Sequence, residues 1–256
     1  MTDNPTTLDI VSGSNYLAEE ESTARQKKTR LATPVAILWL ATLLVAPSQL
    51  LLWWLFDTNS GYFAVTGLLF AASVALSLLL PVIDRHERRE QNFAVGRAGE
   101  EQLATFLRSH LDKEWSLYRN LLLPDGKGDI DAVLLGPGGL FVLEVKAWNG
   151  DYRVTGTRWQ KRTPSGGWWA VDSSPSGQAL ANARRLEAWL NAQGVCLTAH
   201  PRIVWAGPGS VQFVKSSVSV WLLAKPAYIH RDLKPSDSLS PESRRQIART
   251  LTRLVG

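Results

Sequence analysis

The stretch GKGDIDAVLLGPGGLFVLEVK, residues 126–146, decides how this chain is read. Two runs rich in Val, Leu, Ile and Phe, at 129–135 and 140–147, flank the turn Gly136-Pro137-Gly138-Gly139. Such punctuation between apolar runs predicts a hairpin of two buried strands. Side chains alternate along a strand, so Glu144 and Lys146 share one face of the second strand, and Asp129 and Asp131 share a face of the first. Charged groups inside an apolar hairpin need partners: each other, a metal ion or a substrate.

Residue type indicates the chemistry. Two carboxylates, Asp131 and Glu144, make a hard oxygen site suited to Mg²⁺ or Mn²⁺. An ion of that kind polarises a phosphoryl oxygen, and Lys146 beside it can orient a water or stabilise developing negative charge. The plainer alternative is a structural ion pair between Glu144 and Lys146. The Gly128-Asp-Ile-Asp131 run one strand upstream shifts the balance toward a site.

Four segments in order, Gly96-Arg-Ala-Gly-Glu100, Gly128-Asp-Ile-Asp131, the run from Gly136 to Lys146, and Pro175-Ser-Gly-Gln-Ala-Leu-Ala-Asn182, resemble the nuclease-related domain (NERD) family. That family belongs to the PD-(D/E)xK nuclease superfamily. The resemblance covers roughly residues 93–206. It implies an α/β, restriction-endonuclease-like mixed sheet with flanking helices and a divalent metal. Asp131, Glu144 and the backbone carbonyl of Val145 would hold the metal, Lys146 would assist the water, and Glu100 and Gln178 would support the site. The activity implied is metal-dependent hydrolysis of nucleic-acid phosphodiester bonds, with DNA ahead of RNA. The alternative from another class is a non-catalytic nucleic-acid-binding or scaffold module.

Glu100 also has a local reading. A helix predicted over 97–111 places Glu100 and Glu101 in its first turn, where negative charge suits the helix dipole. Gly96 and Gly99 on that helix would allow close approach to a sheet. Gln178 would otherwise read as a surface residue of a helix over 176–192, with Asn182 as its neighbour one turn on.

Outside this domain the chain changes character. Residues 1–33 read as a disordered cytoplasmic tail, polar, with the acidic run Glu19–Glu21 and then Arg25, Lys27, Lys28 and Arg30. Within 34–83, two apolar runs, 34–56 and 61–83, flank the polar tip Asp57-Thr-Asn-Ser-Gly61. Each is long enough to cross a lipid bilayer, so they predict a transmembrane helical hairpin. Basic residues on both sides place both termini and the nuclease-like domain in the cytoplasm. Residues 84–92 form a charged connector, 93–225 the nuclease-related domain, and 226–256 a C-terminal loop and helix.

The rest of the chain refines this division. The net charge of +5 accords with an anionic partner, and the single cysteine, Cys196, excludes an intrachain disulfide. Cys196 reads as a buried bystander. Basic and aromatic residues interleave over 153–169, a pattern that suits phosphate contact and base stacking. Trp159 reads instead as core, while Trp168 and Trp169 stay open. Further strands are expected at 115–123, 202–205 and 218–223, with a loop at Gly207-Pro-Gly209. The run His230-Arg-Asp-Leu-Lys-Pro235 copies a protein-kinase catalytic loop. The Gly-rich loop, the Val-Ala-Ile-Lys strand and the Asp-Phe-Gly motif are missing, which excludes that reading.

Overall fold

The computed structural model describes residues 8–12, 93–234 and 238–254. All but residues 93 and 94 of these belong to one compact unit. The predicted transmembrane hairpin and the charged connector lie outside the described residues. Among the described residues no helix is long and apolar enough to cross a membrane.

The central hairpin forms as its pattern dictates. Strand β3, Asp129–Gly136, pairs antiparallel with β4, Gly139–Lys146, from Ala132↔Leu143 to Gly136↔Gly139. Gly139 adopts φ 124°, a backbone state closed to L side chains, so the two-residue turn requires glycine there. Around this hairpin lies a six-stranded mixed sheet in the order β1-β2-β3-β4-β8-β10. Its other members are β1 (Asp9–Ser12), β2 (Ser116–Leu122), β8 (Ala199–Trp205) and β10 (Ser219–Leu222). Neighbours on either side of the β2-β3-β4 meander, β1 with β2, β4 with β8 and β8 with β10, run parallel.

Helices cover both faces of that sheet. Helix α1, residues 93–110, packs Leu103, Ala104 and Leu107 against Leu134, Phe141 and Leu143. On the other face α2 (Pro175–Ala192) sets Ala183, Leu186 and Leu190 against Val133, Leu135, Leu140 and Val142. Ser174 starts α2 by accepting the Gly177 N–H, with Pro175 at the first helical position. Burial on both faces explains why β4 is apolar along nearly its whole length instead of alternating. Fully burying each such Leu or Val contributes about 1.5–3 kcal/mol before entropy is set against it. Gly99 allows α1 to approach closely: a Cβ there would stand 2.8 Å from the Ala147 Cβ. Gly96, predicted to serve the same purpose, faces open space instead.

A second sheet, in the order β7-β6-β5-β9, hangs off the end of β4. It comprises β5 (Asp151–Gly156), β6 (Arg158–Arg162), β7 (Trp168–Ala170) and β9 (Ser210–Ser216). Tyr152, Val154 and Trp159 seal it against Ala179, Ile203 and Trp205. The Trp159 indole N–H donates to Ser176 Oγ at 2.8 Å, so this tryptophan is core, as expected.

Several expectations are corrected here. Within the predicted disordered tail, residues 9–12 form β1, and Leu8 is buried beside Trp115 in the α1-side core. Residues 210–216, to which the sequence pattern assigns no element, form β9, whose side chains are mostly exposed and so lack an apolar signature. The C-terminal residues form two helices, α3 (Pro226–Asp232) and α4 (Pro241–Thr252), and both join the domain core. Ile229 and Leu233 enter the α1-side core, and Ile247 and Leu251 the α2-side core. The kinase-like run ends α3, where Asp232 accepts Arg202 Nε at 2.6 Å and Trp221 Nε1 at 2.7 Å. Cys196 is exposed instead of buried, with Sγ 2.9 Å from Asn191 Oδ1.

Candidate active site

The hairpin ladder opens at the end of β3 and β4 away from the turn. Backbone pairing stops at Ala132↔Leu143, and beyond it the Val145 N–H donates to Asp131 Oδ2 at 2.7 Å. A side chain therefore takes over from the backbone where the register would set Asp131 across from Glu144. Ile130 packs into the α2-side core while Ala132 packs into the α1-side core, so the strand's alternation breaks at Asp131. Asp129 and Asp131 consequently do not keep the regular one-face relation that their spacing predicts.

Across the ladder, β2 breaks at the same level. Asn120 sits between the pairs Arg119↔Ala132 and Leu121↔Ile130, with φ 53°. Among the described residues it is the one non-glycine with positive φ. Its Oδ1 is buried and has no hydrogen-bond partner. Asn tolerates the left-handed region better than most residues, but the conformation still costs about 1–2 kcal/mol for a residue with a Cβ. Strain and an unsatisfied amide oxygen thus coincide beside Asp131. No feature of the β2 sequence marks Asn120.

Glu144 and Lys146 point to one face, as β periodicity requires, and form an ion pair of 2.6 Å. Glu144 is 3% exposed. Its other oxygen, Oε2, faces Asn182 Nδ2 of α2 at 3.4 Å. Arg185, one turn further along α2, donates to Asn182 Oδ1, to both Asp125 oxygens and to the Gly128 carbonyl. It therefore fixes both the amide that meets Glu144 and the loop that feeds β3. The Arg185 guanidinium holds the Asp125 carboxyl down at about 2. Gln178, the α2 residue singled out from sequence, is exposed, whereas Asn182 one turn on reaches the buried carboxylate.

Glu100 comes from α1, on the other face of the sheet. The helix is already running at residue 93, so Glu100 lies about two turns inside it and the first-turn dipole explanation falls away. It is 6% exposed, and its partner is Arg119 Nη2 at 3.6 Å. Arg119 is shared, its Nη1 donating to Glu101 at 2.9 Å. Burial pushes the Glu100 carboxyl up to about 7, with Arg119 opposing and the charge on Asp129 adding to the rise.

Charge is unevenly matched across these groups. Glu144 has Lys146 and Glu100 has Arg119, but Asp131 has only the Val145 N–H and a share of Lys146's field. Burial and the neighbouring Glu144 charge hold the Asp131 carboxyl well above the usual carboxylate range, and Glu100 adds to the rise. The Lys146 ammonium is raised because the Glu144 and Asp131 charges outweigh its own desolvation. A cation at Asp131 would favour the ionised form that burial and Glu144 oppose. Among the described residues, no three His, Cys, Asp or Glu side chains come close enough to cage an ion. The acidic side chains that meet here are two, Asp131 and Glu144, linked through the Val145 N–H that follows Glu144. Mg²⁺ is commonly bound through one or two carboxylates, and the residues present fit such an ion.

Residues 95–206 match the family described as the nuclease-related domain, NERD. The matched span runs from α1 through the hairpin, strands β5 to β7 of the small sheet and α2 to the end of β8. No curated protein and no solved structure gives a significant match to the chain.

Proposed function

We propose that this chain is a membrane-anchored nuclease of the PD-(D/E)xK type, which hydrolyses phosphodiester bonds of nucleic acid with a divalent metal. The observation that carries this reading is the Asp131 carboxyl, held by the Val145 N–H at the point where the hairpin ladder opens, beside the Glu144–Lys146 pair. Asp131, Glu144 and the Val145 carbonyl would hold Mg²⁺ or Mn²⁺, which when bound supplies Lewis-acid polarisation of a phosphoryl oxygen.

The chain's own groups account for the rest. Lys146 stays protonated at neutral pH, so it donates hydrogen bonds instead of accepting a proton; it orients the attacking water or steadies charge developing on the phosphoryl group. Asn182, itself held by Arg185, keeps Glu144 turned into the site. Glu100 titrates near neutrality and is suited to hold or release a proton at working pH. Two apolar runs of bilayer-spanning length at 34–56 and 61–83 support the anchor, with the domain on the cytoplasmic side.

The test is cleavage of labelled single- and double-stranded DNA and RNA by the full chain, with Mg²⁺, Mn²⁺ or EDTA. Metal-dependent cutting that disappears in Glu144→Gln and Lys146→Met supports the proposal. Folded wild-type protein that cuts nothing in either metal refutes hydrolysis and leaves a binding module.

A further inference from the structure

The small sheet carries a charge out of proportion to its size. Strands β5, β6, β7 and β9 hold five cations, Arg153, Arg158, Lys161, Arg162 and Lys215, against one acid, Asp151. That is a net +4 on a chain whose total is +5. The same sheet presents Trp169, 72% exposed on the edge strand β7. Trp168 is instead half-covered, with the Arg153 guanidinium 4.6 Å from its ring.

Trp169 is placed by register. It pairs directly with Lys161 across β6 and β7, and paired residues stand on the same face of a sheet. Lys161 Nζ lies 5.6 Å from the Tyr152 ring, the Tyr152 and Trp148 rings form a tilted pair with centroids 5.1 Å apart, and Lys146 Nζ lies 5.8 Å from the Trp148 ring. An unbroken series of contacts thus leads from Lys146 in the candidate active site to Lys161 and its neighbour Trp169.

We infer that Trp169 and Lys161 form a binding subsite for single-stranded nucleic acid that leads away from the Glu144–Lys146 site, with Trp169 stacking on a base and Lys161 contacting a phosphate. The inference rests on the nucleic-acid reading above but not on hydrolysis. An exposed indole is a sequence-tolerant stacking platform, and an adjacent ammonium supplies the backbone contact. An anionic membrane would also attract cations and tryptophan. The contacts back to Lys146 favour a polymer that passes through the site.

The test is fluorescence anisotropy of a fluorescein-labelled oligo(dT) with the full chain in EDTA, where no cutting occurs. Trp169→Ala should weaken binding about tenfold, and Trp169→Phe should restore most of it. Lys161→Met should lower the slope of log affinity against log salt by about 0.7, the share of one phosphate on a single strand. Wild-type affinity and slope in both variants would overturn the subsite while leaving the nuclease reading intact. Wild-type protein that binds no oligonucleotide, or binds anionic vesicles in its place through Trp169, would overturn it as well. Binding that depends on Trp169 without cleavage in any metal would uphold the subsite and sink only hydrolysis.

Discussion

Glu100→Gln should flatten the pH dependence of stability in the metal-free protein. Burial holds the folded-state carboxyl near 7 against 4.5 in an exposed chain. A carboxyl raised in the folded state favours folding below its unfolded value, and that stability is lost as pH rises toward the folded value. The loss therefore falls between pH 4.5 and 7. At about 1.4 kcal/mol per pH unit, the 2.5-unit span corresponds to about 3 kcal/mol. Glu100 is 6% exposed, so solvent screening leaves this order of magnitude standing. Glutamine keeps the shape and removes the charge, and Arg119 retains Glu101 at 2.9 Å. Urea unfolding in EDTA, followed by tryptophan fluorescence at pH 5 and pH 8, measures the effect. Wild type should lose about 2.5 kcal/mol more than Glu100→Gln over that interval, since part of the loss has occurred by pH 5. Asp131 supplies a residual slope of the same sign in both proteins. Equal slopes would refute the claim that Glu100 is a buried acid with a raised pKa.

Three substitutions probe the frame around the site. Gly99→Ala should destabilise by about 1–3 kcal/mol in denaturant unfolding, because its methyl meets the Ala147 Cβ at 2.8 Å and α1 must shift. Asn120→Gly should match or exceed wild-type stability in denaturant unfolding, since φ 53° strains any residue with a Cβ and the change also removes the unsatisfied Oδ1. Asp232→Ala should cost about 2 kcal/mol by stripping Arg202 and the Trp221 indole of a charged acceptor. Cleavage by that variant at low temperature should be unchanged, because Asp232 fastens α3 and lies outside the proposed chemistry.

What the sequence disclosed, and what it hid, follows from how each element meets solvent. The β3–β4 hairpin was readable because both strands are buried on both faces and glycines mark the turn. The shared face of Glu144 and Lys146 then followed from a period of two. Strand β9 left no such trace, since Gln212, Phe213, Val214 and Lys215 are all exposed. Strand β1 is four residues long and set in a polar segment, and it takes its order from pairing with β2. In the site, Glu100 was legible as a candidate, but its depth in α1 was not, because the helix begins ahead of Gly96 and Gly99. Asn182 and Asn120 were hidden for different reasons. Asn182 differs from Gln178 only by which turn of α2 meets Glu144. Asn120 acquires its meaning from a break in the ladder at Asp131, a tertiary event with no local cue.

The measurement that bears most directly on the account is Mn²⁺ binding by the full chain, followed by electron paramagnetic resonance of the free ion near neutral pH. The account predicts saturable binding by wild type that is lost in Asp131→Asn, a variant that keeps an acceptor for the Val145 N–H but cannot ionise. Equal binding by the two proteins, or none by a folded wild type, would contradict it.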